Sequence, residues 1–200
     1  ILGINIIFAY SIYITAATGQ LNLGGAGFQA IGAYACALLS NELGLPIYLT
    51  LVFSAILGGA ISFLIAFPVL RTKGVYMVLA TFAIAEIVAG IILNTDYLGG
   101  PTGMIVNAYI ETEVVLVVAV IIVILGFYIM STRIGLAMRA VHDDEAVADL
   151  MGVDKRAIQV GAFTIGGAIA GLSGGLYALY FGFIEAQYFN ANISIFVLLY

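Results

Sequence analysis

The sequence predicts an all-α fold, a polytopic transmembrane helical bundle. Three observations carry this. Of the 200 residues, 64% are apolar and 8% charged, whereas a soluble globular domain has about 25% charged residues. A chain of this length cannot bury so much apolar surface in one aqueous core, so its solvent is largely lipid. The apolar runs continue for about 17–20 residues, the length of a spanning helix, without the alternation that barrel strands show. In lipid every backbone N–H and C=O needs an internal partner, and the helix supplies one within each segment.

Spans are expected at roughly 1–18, 25–40, 50–70, 75–94, 114–131 and 159–181, with a truncated one from 193. Together they read as one membrane domain over residues 1–200. The chain does not begin with Met and stops inside ISIFVLLY, so a fragment truncated at both ends is expected. The first run, ILGINIIFAYSIYITAATG, has no basic flank and does not read as a signal peptide. Cys36 is the only cysteine and sits among small residues in IGAYACALL. It reads as apolar filler and excludes a disulfide framework.

After the first run comes TGQLNLGGAGFQAIGAY, residues 18–34. Gln20, Asn22 and Gln29 lie beside Gly24, Gly25, Gly27 and Gly32. This is either a cytoplasmic loop or a helix broken within the membrane. Irregular backbone at that depth is tolerated where it is buried in protein or lines a wet cavity. Amides and glycines without charge suit the second option.

In the span 50–70, Gly58 and Ser62 form a weak small-residue stripe. In 159–181, Gly167, Gly171 and Gly175 recur every four residues. Both stripes let another helix backbone approach closely. Glu86 lies near the middle of 75–94, where a charged carboxylate costs about 2.5–3.5 kcal/mol. It should face the bundle interior or a wet cavity, either lining a permeation path or acting as a strut. The segment NTDYLGGPTGMIVNAYIETE is long for a connection, and GGPTG is a strong turn signal.

The connections sort by charge. Arg71 and Lys73 lie in one, and Arg133, Arg139, Lys155 and Arg156 in another, which accounts for all six basic residues. The positive-inside rule puts 71–74 and 132–158 in the cytoplasm. Residues 41–49, 95–113 and 183–192 then face outside. Eight of the 17 charged residues fall between Arg139 and Arg156. There, Leu136, Ala140, Val147 and Met151 recur with helical spacing, which predicts a short amphipathic helix near 136–151. Ser131 or Thr132 starts it, Gly152 suits its end, and Asp154 caps the next helix. Arg139 and Asp143 are spaced to pair. His142 reads as a solvated surface residue. A 27-residue excursion with its own capped helix, residues 132–158, suggests a docking element, since connectors are usually short.

No G-x-x-x-x-G-K-[ST], H-E-x-x-H, G-x-S-x-G or C-x-x-C occurs, so no nucleotide phosphate site, catalytic residue, metal site or cofactor is expected. There is no basic patch for nucleic acid.

STRIGLAMRAVHDDEAVADLMGV resembles the cytoplasmic signature of branched-chain amino acid ABC transporter permeases of the M type. GQLNLGGAGFQAIGAY, TFAIAEI, LGGPTGM and AGLSGGLYALYFGFI are similar to further stretches of that family in the same order. The likeness covers roughly residues 10–190. Asn22 stands where Ser is usual, and His142 and Asp143 where Arg and Glu are usual. The resemblance implies a permease subunit of an ATP-driven importer in the cytoplasmic (inner) membrane, itself not an enzyme. Implied partners are two cytoplasmic ATP-binding subunits, an unlike second permease, an external substrate-binding protein and membrane lipid. It implies that Arg139, Ala140, Asp143, Asp144, Glu145, Ala148 and Gly152 contact the ATPase, and that Gln20, Asn22 and Gly24 line the route, with Glu86 as a further candidate. Branched-chain or hydrophobic amino acids are the implied cargo. Urea, short amides or sugars are carried by related permeases, and an ion-coupled carrier using Glu86 is the alternative mechanism.

Overall fold

A computed structural model describes residues 1–72 and 74–197. Lys73 and the end of the last run, residues 198–200, lie outside the described residues. The helices are α1 (Leu2–Ala16), α2 (Gly25–Leu43), α3 (Ile47–Val69), α4 (Val75–Leu93), α5 (Thr112–Ser131), α6 (Arg133–Asp143), α7 (Glu145–Leu150), α8 (Lys155–Phe181) and α9 (Ala191–Val197). A two-residue antiparallel ribbon pairs β1 (Met104–Ile105) with β2 (Phe183–Ile184).

Among the described residues four helices, α3, α4, α5 and α8, are long and apolar enough to cross a membrane, and α1 is a shorter apolar helix. The sequence leads one to expect α2 among the full spans. The helix is present, but its composition falls short. The physical reason is position. α2 packs against α1, α3, α4 and α8, so it is lined by Gly, Ala and Cys that fit neighbours, and it needs little lipid-facing bulk.

α8 is the hub, packed on α1, α2 and α3. Its 27 residues make it about 40 Å long. The two small-residue stripes of the sequence meet each other here. A Cβ on Gly58 would lie 2.6 Å from the Gly167 carbonyl oxygen and 2.9 Å from Gly171 Cα. At this contact the Ser62 hydroxyl donates to the Phe163 carbonyl at 2.7 Å. Close backbone approach supplies the dispersion contact that holds helices together where lipid removes the hydrophobic drive. Phe28 and Phe163 meet edge to face, with centroids 5.8 Å apart.

α3, α4 and α5 bury one narrow stripe each. Their outer faces present Phe53, Ile56, Phe63, Leu79, Ile87, Ile124 and Phe127, the surface a lipid solvent requires. At one end of the bundle the β1–β2 ribbon joins the 95–111 and 183–190 connections. The Asn41 amide donates to the Ile105 carbonyl at 2.7 Å and accepts from Asn107 N–H at 3.0 Å. Tyr97 donates to the Glu42 carboxylate. The three connections expected outside thus gather together. At the other end Leu70, Thr72, Glu145, Lys155 and Arg156 line one cavity.

The charged stretch differs from the single helix expected near 136–151. It forms two, broken at Asp144, whose backbone is extended at φ −157°, ψ 108°. The Asp144 carboxylate explains the break, because it accepts from the N–H groups of Ala146 (2.8 Å) and Val147 (3.1 Å). A short acidic side chain offers the backbone an N-cap in competition with continuing the helix. Thr132 precedes α6, but its hydroxyl donates back to the Ile129 carbonyl. Gly152 follows α7 at φ +82°, as helix ends favour. Asp154 caps α8 by accepting from Ala157 N–H at 3.1 Å.

Candidate functional site

The glycine-rich segment is non-helical over residues 20–23, and α2 begins at Gly25. Gly25 faces Phe8, midway along α1, and Gly27 faces Ala85, midway along α4. The chain therefore leaves α1 at its end and starts α2 halfway up its neighbours, the arrangement of a broken helix. The freed backbone is satisfied by side chains. Asn22 Oδ1 accepts from Gly24 N–H at 2.8 Å. Leu23 N–H donates to Thr81 Oγ1 at 3.2 Å, and Thr81 donates to the Val78 carbonyl at 2.9 Å. Ala26 N–H donates to Ser194 Oγ at 3.1 Å.

Glu86 sits on the same helix as Thr81. Its residue is exposed on α4, and Oε1 accepts from Ala191 N–H, the first residue of α9, at 3.3 Å. A carboxylate at a helix start is favoured by the amide dipoles. Of the two settings expected for Glu86, the bundle interior or a wet cavity, its exposure excludes the first within this chain and leaves the second. Interior positions on α4 belong to Met77, Thr81, Ala85, Ala89 and Ile92, and Glu86 lies just outside that stripe. The structure thus joins Asn22, Gly24, Thr81, Ser194 and Glu86 through α4 and the starts of α2 and α9.

Gln20 is not part of this cluster. It is buried at the charged end, where it lines a cavity of about 730 Å³ with Leu21, Lys155 and Gln159. Its Oε1 accepts no hydrogen bond among the described residues. Thr81 and Ser194 were missed by sequence reasoning. Thr81 had a signal, a hydroxyl opening TFAIAEI inside a span, whereas Ser194 in ISIFV carries none until α9 is seen beside α2.

In the charged stretch, Arg139, Ala140, Asp143, Asp144 and Gly152 are exposed. Ala148 is buried and seats α7. Glu145 is half-buried, and its Oε1 accepts from Gln159 Nε2 at 3.1 Å, which ties α7 to α8. The spaced pair Arg139–Asp143 does not form an ion pair. α6 buries Gly135, Met138 and Val141, and Met138 packs with Ile14, Met130 and Ala162. Leu150 and Met151 project at the end of α7, 88% and 81% exposed. Sequence reasoning placed Met151 on the helix side and passed over Leu150. His142 is exposed, as expected, and stands beside Gly19.

Spanning helices, a helix begun at mid-bundle and a helical pair held between two spans describe a multi-pass helical membrane protein. The chain matches the family described as branched-chain amino acid transport system / permease component over residues 2–200, and it belongs to that family. It is 31% identical to the high-affinity branched-chain amino acid transport system permease protein LivM of Escherichia coli (strain K12), over 98% of this chain and 53% of that protein. The LivM protein of Salmonella typhimurium (strain LT2) is similar to the same degree and extent. The probable branched-chain amino acid transport permease protein LivH of Methanocaldococcus jannaschii is 27% identical over 82% of this chain and 58% of that protein. The chain spans about half the length of the first two of these curated relatives. No solved structure matches it significantly.

Proposed function

We propose that this chain is the membrane-spanning permease part of an ATP-driven importer of branched-chain or hydrophobic amino acids in the cytoplasmic membrane. The observation that carries the reading is the α6–α7 pair, a capped helical handle between α5 and α8 that Met138 and Glu145 tie to the bundle. Its exposed tip, Leu150 and Met151, together with Ala140, Asp143 and Asp144, offers an apolar knob rimmed by charge, while Arg139 lies on the groove side of α6 with Leu136. Ala148, Glu145 and Gly152 set its shape. Two ATP-binding subunits dock on this surface in the complete complex, and movement of the handle is transmitted to α5 and α8.

The path runs along α4. An ionised Glu86 facing hydrocarbon would cost about 2.5–3.5 kcal/mol, so its face turns to a wet route or to protein. That face is mixed, with Ala83, Glu86 and Gly90 beside the exposed Leu79 and Ile87, and nothing lies within 4 Å of a Cβ on Gly90. A second, unlike permease subunit packs there, and the route passes Asn22, Gly24 and Glu86 and leaves past Gln20. An external binding protein delivers cargo to the ribbon end.

The deciding experiment is uptake of labelled leucine, urea and ribose by the complete complex in proteoliposomes, with and without internal ATP. ATP-dependent leucine uptake is expected. Preferred uptake of urea or ribose would reassign the cargo. Leucine uptake driven by a proton gradient without ATP would replace the mechanism with ion coupling at Glu86.

A further inference from the structure

We infer that the groove between α1 and α5 binds an anionic phospholipid of the cytoplasmic leaflet, its headgroup on Arg139. The groove has a volume of about 630 Å³ and is lined by Tyr10, Tyr13, Phe127, Met130 and Leu136, with Arg139 at its charged end. At its floor the Tyr10 ring lies against the bare backbone of Gly126, where a Cβ would come within 2.7 Å of the ring.

Its walls belong to the lipid-facing side of the bundle. Phe127 is 76% exposed and Tyr13 50%. The depth is that of the inner leaflet, since the groove runs from Gly126 to the end of α5 at Ser131 and meets α6. Charge then selects among lipids. Arg139 forms no ion pair among the described residues, although Asp143 stands four residues away on the same helix. A guanidinium matches a phosphate with paired donors. Basic residues at the cytoplasmic face gain from the anionic lipid there. Tyr10 and Tyr13 add hydroxyls that make no hydrogen bond among the described residues, and these suit the ester oxygens between headgroup and acyl chains. The chains lie on Phe127, Met130 and Leu136. A lipid held on Arg139 bridges the handle to α1 and α5, so the leaflet's charge bears on the handle's position.

The chain has no Trp, which makes the test direct. Phe127→Trp is introduced and the complete complex reconstituted in phosphatidylcholine vesicles. Fluorescence beyond that of the parent complex is titrated with brominated phosphatidylglycerol or brominated phosphatidylcholine. The expected result is about fivefold stronger relative binding of the anionic lipid, the preference one basic residue gives. Phe53→Trp, on the outer face of α3, should show no preference. Arg139→Gln should erase the preference at the groove, Arg139→Lys should retain much of it, and Arg133→Gln should leave it intact. Equal quenching by both lipids at the groove overturns the proposal. So does a lack of quenching by either, which means that protein fills the groove. So does equal loss in Arg133→Gln, which means diffuse surface charge. The comparison of the two lipids on the native Arg139 background decides the matter even if Arg139→Gln fails to assemble.

Discussion

Glu86 carries one oxygen that holds the Ala191 N–H at the start of α9 and a charge that needs a wet or protein-lined setting. The two roles separate by substitution. Glu86→Gln keeps an acceptor and is expected to retain most ATP-driven uptake, whereas Glu86→Ala leaves the α9 amide unmet and should lose about fivefold or more, since an unsatisfied buried group costs about 1–3 kcal/mol. Uptake assays on both variants check this, and abolition by Glu86→Gln alone would point to proton carriage. Tyr97 is a second residue with a readable state. Its hydrogen bond to Glu42, with a lesser effect of burial, raises its phenol above the ordinary value. A raised phenol pKa means that the contact is intact below about pH 10 and fails as pH rises through the raised value. Limited proteolysis of residues 95–111 should therefore accelerate above about pH 10, and Tyr97→Phe should be fast at lower pH as well.

At the scale of elements, the α3–α8 contact and the α6–α7 handle make separate predictions. Gly58→Leu forces α3 away from Gly167 and Gly171. Overpacking of this kind costs about 1–3 kcal/mol, and the expected outcome is a lowered thermal midpoint in detergent, measured by size-exclusion recovery after heating. Asp144→Ala removes the cap of α7 and should cost about 0.5–2 kcal/mol locally, seen as faster amide exchange at Ala146 and Val147 with the spans unchanged. Leu150→Asp alters no internal contact, because the side chain is 88% exposed. It should abolish co-purification of the ATP-binding subunits while leaving the permease folded, and full retention of those subunits would refute the docking role of the knob.

For the whole molecule, the even distribution of connections between two ends was legible from Arg71, Arg133, Arg139, Lys155 and Arg156 alone. Charge is costly to move across lipid, so it records topology in the sequence. The glycine stripe of α8 was legible for a similar reason, since few other demands produce Gly at every fourth position. The break at 18–24 was legible as a choice between two options, because uncharged amides suit either. The split of the handle at Asp144 was not foreseen, although Asp144 followed by Glu145 is a cap signature. The apolar spacing on both sides of it concealed the interruption.

The amino-acid sequence by itself determined the solvent, the helical class, the sorting of basic residues into alternate connections and, through five ordered motifs, the family. These depend on composition and local spacing, which a linear chain displays in full. Tertiary structure alone decided that Gly58 and Ser62 face Gly167 and Gly171. It decided that α2 starts beside Phe8 and Ala85, that Ser194 completes the start of α2, and that Glu86 points out of this chain. Each of these pairs residues far apart in sequence, and such a pairing is a property of packed surfaces that no single segment encodes.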